Sequence, residues 1–198
     1  MLRHLGTGLC AIGLLLLIHV GVVGGRGWLA GDRARSAWEA GEARRAVMAT
    51  TAALARSGPE ESPRAGSPVA RLEIPRIAVD EIVVEGVGVD ELNAGPGHLS
   101  GSPLPGAEGN AIISAHRDRH FHGLDAVALG DTILTESAAG RVMWTVTARR
   151  VVDRGAPALF TTGDATLTLT TCWPVRYVGP APERLILTAK PIQPRPRA

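Results

Sequence analysis

The feature that most constrains this chain is a succession of short β-type runs closely punctuated by glycine and proline. They cover residues 70–74, 77–87, 110–115, 132–135, 141–152, 166–171 and 185–190. Each run is rich in Val, Ile, Leu and Thr, which suit a pleated, half-buried surface. Gly95-Pro96-Gly97, residues 101–105, Gly130-Asp131, Gly140 and Gly163-Asp164 stand between them as turns. Seven or eight strands in about 120 residues predict a barrel or a sandwich. The interval 90–109 is expected to hold a short helix or an ordered loop.

What precedes the runs is of another kind. Residues 5–23 contain no Asp, Glu, Lys or Arg, and about 19 helical residues rise about 28 Å, close to the hydrocarbon thickness of a bilayer. No small-x-small cleavage site follows, which favours an uncleaved signal anchor. The expected organisation is a terminal stub and membrane anchor over 1–27, then a helical stalk rich in Ala, Arg and Glu over 28–56. A Pro/Gly/Ser linker follows over 57–68, then a catalytic domain over 69–190 and an extended tail over 191–198. Trp28 suits the membrane interface because it lies just past the span. Trp38 has either the headgroups or the folded body to pack on.

The formal charge of the 198 residues is +2, aromatics are sparse and there is no basic block, which removes nucleic acid from the expected partners. Cys10 lies within the apolar span and Cys172 at the far end of the soluble part. Two cysteines so placed do not imply a disulfide.

Cys172 ends the run Thr166-Leu167-Thr168-Leu169-Thr170-Thr171-Cys172. Period-two alternation sets Leu167, Leu169 and Thr171 on one face, and the sulfur on the other, away from a leucine-lined core. An ordinary thiol with a pKa of about 8.5 needs a base or a cation beside it to become a ready nucleophile. His116 is the best candidate base, since it ends the run over 110–115 as Cys172 ends its own. Arg184, at the start of the last run, is the better candidate for stabilising an oxyanion; Arg176 falls in the intervening loop. Two other readings compete. A metal site would use His116, His120 and His122 with Asp118 and Asp125, although their spacing matches no common helical zinc pair. An L,D-transpeptidase would place its histidine and cysteine close together in sequence, which this chain does not.

Thr168-Leu169-Thr170-Thr171-Cys172 resembles the TLxTC signature of the sortase family. Ala115-His116-Arg117-Asp118 and the later Arg184 stand where that family carries its histidine and arginine. Residues 97–124 together with Cys172-Trp173-Pro174 look most like the Gram-negative sortases related to classes D and E. Many relatives have glycine where this chain has Ala115.

The resemblance implies a mostly β fold, a closed eight-stranded barrel, and a cysteine transpeptidase that needs no cofactor and no metal. Cys172, His116 and Arg184 would be catalytic, and Thr171, Trp173, Arg117 and Asp118 would line or order the substrate site. The implied partners are a protein with an LPxT-like C-terminal sorting signal, an amine acceptor in the envelope, and membrane lipid around the N-terminal helix. The implied location is the bacterial cytoplasmic membrane, crossed once, with the catalytic domain facing the periplasm or exterior. Arg26, Arg33 and Arg35 after the span weigh against that orientation by the positive-inside count. A hydrolytic cysteine peptidase of the same fold, or a barrel that binds an envelope peptide without cleaving it, are the alternative functions.

Overall fold

The computed structural model describes residues 2–49, 63–155 and 163–192. A long helix, α1 (Leu2–Ala49), precedes eight strands: β1 (Pro68–Ile74), β2 (Val79–Glu85), β3 (Gly97–His98), β4 (Asn110–Ser114), β5 (Thr132–Ser137), β6 (Gly140–Asp153), β7 (Thr166–Trp173) and β8 (Glu183–Pro191). They close into one barrel in the order β1-β2-β3-β4-β7-β8-β6-β5. The pairs β2–β3 and β4–β7 are parallel and the others antiparallel. The fold is therefore the closed barrel that the resemblance implies.

Two details differ from the sequence reading. The expected strand over 77–87 is interrupted: Pro75–Ile77 forms a 3-10 turn and Ala78 takes a left-handed conformation with φ 53°, so β2 starts only at Val79. The proline removes a ladder donor there and ends β1. The interval 90–109 holds a short helix, α2 (Val89–Ala94), and also the two-residue strand β3. Too short to carry an alternation, β3 nevertheless bridges β2 to β4.

The barrel is filled by side chains from alternate strand positions, including Leu72, Ile74, Val83, Ile113, Ile133, Trp144, Leu167, Leu169, Leu185 and Leu187. Trp144 is wholly buried, and its indole N–H donates to the buried Thr135 Oγ1 at 2.7 Å. Phe121 and Leu124, from the segment after β4, join the same core.

The segments expected as anchor and stalk fall in one continuous helix up to Ala49; residues 50–56 of the expected stalk, 57–62 of the linker and 193–198 of the tail lie outside the described residues. Its apolar residues from Ile12 to Val22 are exposed, and the helix is long and apolar enough to cross a membrane. Farther along, Ala34 and Trp38 are buried against Ile82 and Val84 on the outside of β2, a second small core. Trp38 thus packs on the folded body, whereas Trp28 remains exposed.

A polar cluster ties β2, β3 and the following loop together. His98 Nδ1 lies 2.7 Å from Glu85 Oε2, and its Nε2 is 2.9 Å from Ser102 Oγ and 3.1 Å from the Pro103 carbonyl. Glu85 and His98 are both buried. A buried polar group deprived of its partner costs about 1–3 kcal/mol. Glu85→Ala should therefore lower the unfolding free energy by roughly that amount, as read by urea denaturation.

Candidate active site

The side chains of β7 separate into two faces as the alternation requires. Leu167 and Leu169 enter the barrel core, and Thr171 points the same way, with its hydroxyl donating to the Ala115 carbonyl at 2.7 Å. On the opposite face Thr168 donates to Asn110 Oδ1 at 2.9 Å. Cys172, two residues beyond Thr170, is partly exposed on that face. The Thr171 hydroxyl is therefore committed to joining β7 to the end of β4, an ordering role beside Cys172.

The strand register brings Arg184 to the sulfur and the end of β4 to the same rim. Ser114 pairs with Thr170 in the parallel β4–β7 ladder, and the Ala115 N–H donates to the Thr170 carbonyl at 3.2 Å. His116 follows two residues after the end of β4, and Arg184 is near enough to bear on its charge. In the antiparallel β7–β8 ladder Cys172 and Arg184 are direct partners, and Arg184 Nη1 donates to Cys172 Sγ at 2.9 Å. Arg184 lies one residue inside β8, while Arg176 is exposed in the loop. A residue held in a strand ladder directs its guanidinium more rigidly than one in a loop.

The imidazole of His116 is half-buried, and that burial holds its pKa below the ordinary histidine value of 6.5. The Asp118 carboxylate works against the shift, and Arg119, His120 and Arg184 add to it. The neutral ring is therefore the dominant form at neutral pH. For folding the sign follows directly: both states are neutral above the unfolded value, and stability is lost as pH falls through the folded value.

The surrounding residues hold the site more than they line it. Arg117 donates to the Pro174 carbonyl at 2.9 Å and to the Gly179 carbonyl at 2.7 Å, and its guanidinium lies 5.7 Å from the centre of the Tyr177 ring. It clamps the β7–β8 loop. Trp173 packs against the core, with the guanidinium of Arg149 lying 5.5 Å from its ring centre. Asp118 is exposed and acts on His116 through its charge.

His120 turns away to Glu81, with Nδ1 and Oε1 3.3 Å apart, and His122 is exposed. Among the described residues no three His, Cys, Asp or Glu side chains are placed to share a metal ion. Arg149 was not legible as a neighbour of Trp173, because the two meet across β8 from strands distant in sequence. A search for cations flanking the pairing partners of β8 would have found it.

A model of the Sortase domain matches residues 72–192. The chain belongs to the sortase family of cysteine transpeptidases. It is 33% identical over 130 residues to Sortase D of Bacillus subtilis (strain 168), a match spanning 65% of this chain and 66% of that relative, so a class D-like character fits.

Among solved structures, a Clostridium perfringens Sortase D5 transpeptidase superposes with a TM-score of 0.60 at 24% identity, over 66% of this chain and 82% of that one, a likeness of fold. Streptococcus agalactiae sortase C1 superposes with a TM-score of 0.59 at 29% identity, over 65% and 69% of the two chains.

The electrostatics can be read by NMR titration of the histidine ring signals. The His116 midpoint should fall below that of an ordinary histidine. Asp118→Asn should lower it further, because it removes the one carboxylate that favours the imidazolium. Arg119→Gln should raise it. A midpoint that does not respond to either change would refute the assigned surroundings.

Proposed function

We propose that this chain is a membrane-anchored transpeptidase whose nucleophile is Cys172, acting on an LPxT-like sorting signal. The observation that carries this reading is the 2.9 Å contact from Arg184 to the sulfur, with the charge of Arg184 also felt at His116. The three groups lie at or just past three strand ends, and the order His, Cys, Arg is that of the family.

A neutral His116 takes the proton of the Cys172 thiol, and the thiolate attacks the threonyl carbonyl. The carbonyl oxygen becomes an oxyanion. A guanidinium has five N–H donors, so Arg184 has donors to spare for that oxygen beyond the one aimed at sulfur. The bond from the threonyl carbon to the following nitrogen then breaks, and the imidazolium of His116 gives its proton to the leaving amine. This leaves a thioester on Cys172. An acceptor amine attacks the thioester, His116 takes the excess proton, and the carbon–sulfur bond breaks to return the thiol. Water reaching the thioester first would give hydrolysis.

Thr171 supports this chemistry by fixing β7 against the Ala115 carbonyl, and Arg117 by steadying the loop that follows the nucleophile. The apolar N-terminal part of α1 suits a single-pass anchor in the bacterial cytoplasmic membrane, with the barrel on the periplasmic or exterior side. The acceptor is an amine of the envelope or of another protein.

Incubation with a library of LPxT-like peptides, followed by mass spectrometry of the intact protein, tests the reading. An acyl adduct on Cys172 is expected. Cys172→Ala should abolish turnover while the protein remains folded, and Arg184→Ala should reduce turnover roughly 100- to 1,000-fold, the range for losing an oxyanion donor. Full turnover by Cys172→Ala would overturn the proposal.

A further inference from the structure

Two independent contacts fix the direction in which the barrel stands on α1. The apolar segment ends at Val23, and Gly27 follows four residues later, about 6 Å along the helix. At Gly27 the helix runs so close to the barrel that an added Cβ would lie 2.8 Å from the Asn93 carbonyl oxygen and 3.3 Å from Arg119 Nη1. At Gly31, one turn on, an added Cβ would lie 2.5 Å from the Ala94 carbonyl oxygen. Only glycine permits this approach at either position.

Farther from the membrane segment, Arg35 Nη2 donates to the Asp80 carbonyl at 2.9 Å, and Ala34 and Trp38 are buried on Ile82 and Val84. Asp80 is itself held by Arg71 through two 2.8 Å bonds. Going up the helix, the barrel is therefore met first at Asn93 and Arg119, and only then at Asp80 and β2.

That order places the reaction centre. Arg119 lies three residues after His116 in a tight segment, where the N–H groups of Arg119 and Phe121 both bond the His116 carbonyl. Arg119 also donates to the Asn93 carbonyl at 3.3 Å, joining that segment to α2. So the rim that carries His116, Cys172 and Arg184 is the end nearest the apolar segment. Trp28, exposed beside Gly27, is an interfacial aromatic at the same level, with the exposed Arg26 and Arg33 nearby to meet lipid phosphates.

We propose that α1 is a height gauge: by docking through Gly27, Gly31 and Trp38 it holds the catalytic rim just above the bilayer, and so selects scissile bonds at a set distance from the membrane in substrates anchored in that same membrane. This rests on the transpeptidase reading and on α1 crossing the bilayer. It adds a specificity determinant outside the catalytic groups. A substrate tethered by its own apolar helix reaches Cys172 only when the chain between that helix and the sorting motif has the matching length.

The test uses the full-length protein in proteoliposomes with synthetic LPxT-type substrates, each carrying a C-terminal apolar helix after a spacer of graded length. A soluble LPxT-type peptide serves as control. A seven-residue polar helical insertion after Val23 raises the barrel by about 10 Å while keeping the docking face within about 20°. Since an extended residue spans about 3.3 Å, the shortest spacer cleaved should lengthen by about three residues. Turnover of the soluble peptide should stay within twofold.

Gly31→Leu, which undocks the helix without touching the barrel core, should flatten the dependence on spacer length. An unchanged shortest spacer in the insertion variant, with soluble turnover intact, would overturn the gauge alone. Wild-type protein that forms no adduct with either substrate would overturn the transpeptidase reading, and the gauge with it.

Discussion

The parallel pairing of β4 with β7 is the constraint on which the rest of this site depends. Parallel strands leave a sheet at the same end, so the residues that follow Ser114 and Thr170 emerge on one rim. β8 runs antiparallel to β7 and begins at that rim. Cys172 and Arg184 are thereby delivered to one place by two strands, and the chain leaving β4 carries His116 to the same rim. Register matters more here than composition, because a slip of one residue would turn Cys172 into the barrel and Thr171 out of it. Leu167, Leu169, Leu185 and Leu187 resist the slip through their burial, and Thr171 resists it through its bond to Ala115. Thr171 is thus a register pin.

Electrostatics then set His116 apart from Arg184. His116 is surrounded mainly by burial and cations, with Asp118 the single opposing carboxylate. Under the proposed mechanism a ring kept neutral accepts the thiol proton at the moment of attack and returns it to the leaving amine. Arg184, held against the sulfur, supplies permanent positive charge that the histidine lacks. The two roles would interfere if both groups were cationic at rest, because like charges so close disfavour each other's charged form.

Much of this was legible in the chain. The alternating runs around Leu167 and Leu169 are local, and a strand that is buried on one face writes its period into the sequence. Cys172, His116 and Arg184 were recognisable because each sits at or next to the end of such a run. Other features left no comparable local trace. β3 has two residues, and a period cannot be read from two. Glu85 meets His98 only because β2 and β3 pair in parallel. Arg117 meets the carbonyls of Pro174 and Gly179 only because the loop after β7 folds back under its guanidinium. In each case the missing information is a long-range pairing, which depends on closure of the barrel and is not encoded in neighbouring residues.

The two apolar clusters differ in kind, and the difference bears on how α1 is held to the barrel. The barrel core draws on every strand except the short β3 and closes on itself, so it does not need α1 to exist. The seam between α1 and β2 comprises Ala34, Trp38, Ile82 and Val84. Full burial of a large apolar side chain stabilises by about 3 kcal/mol, so a seam centred on one tryptophan sits near the low end of the local stabilities found within a domain. Two glycines in backbone contact add little apolar area. What they contribute is exclusion: no larger residue fits, and rotation of the helix about its axis would replace glycine with Arg26 or Trp28 against the carbonyls of Asn93 and Ala94. A weak seam with strict steric complementarity orients the barrel more than it stabilises it. That combination suits a linkage whose task is geometric.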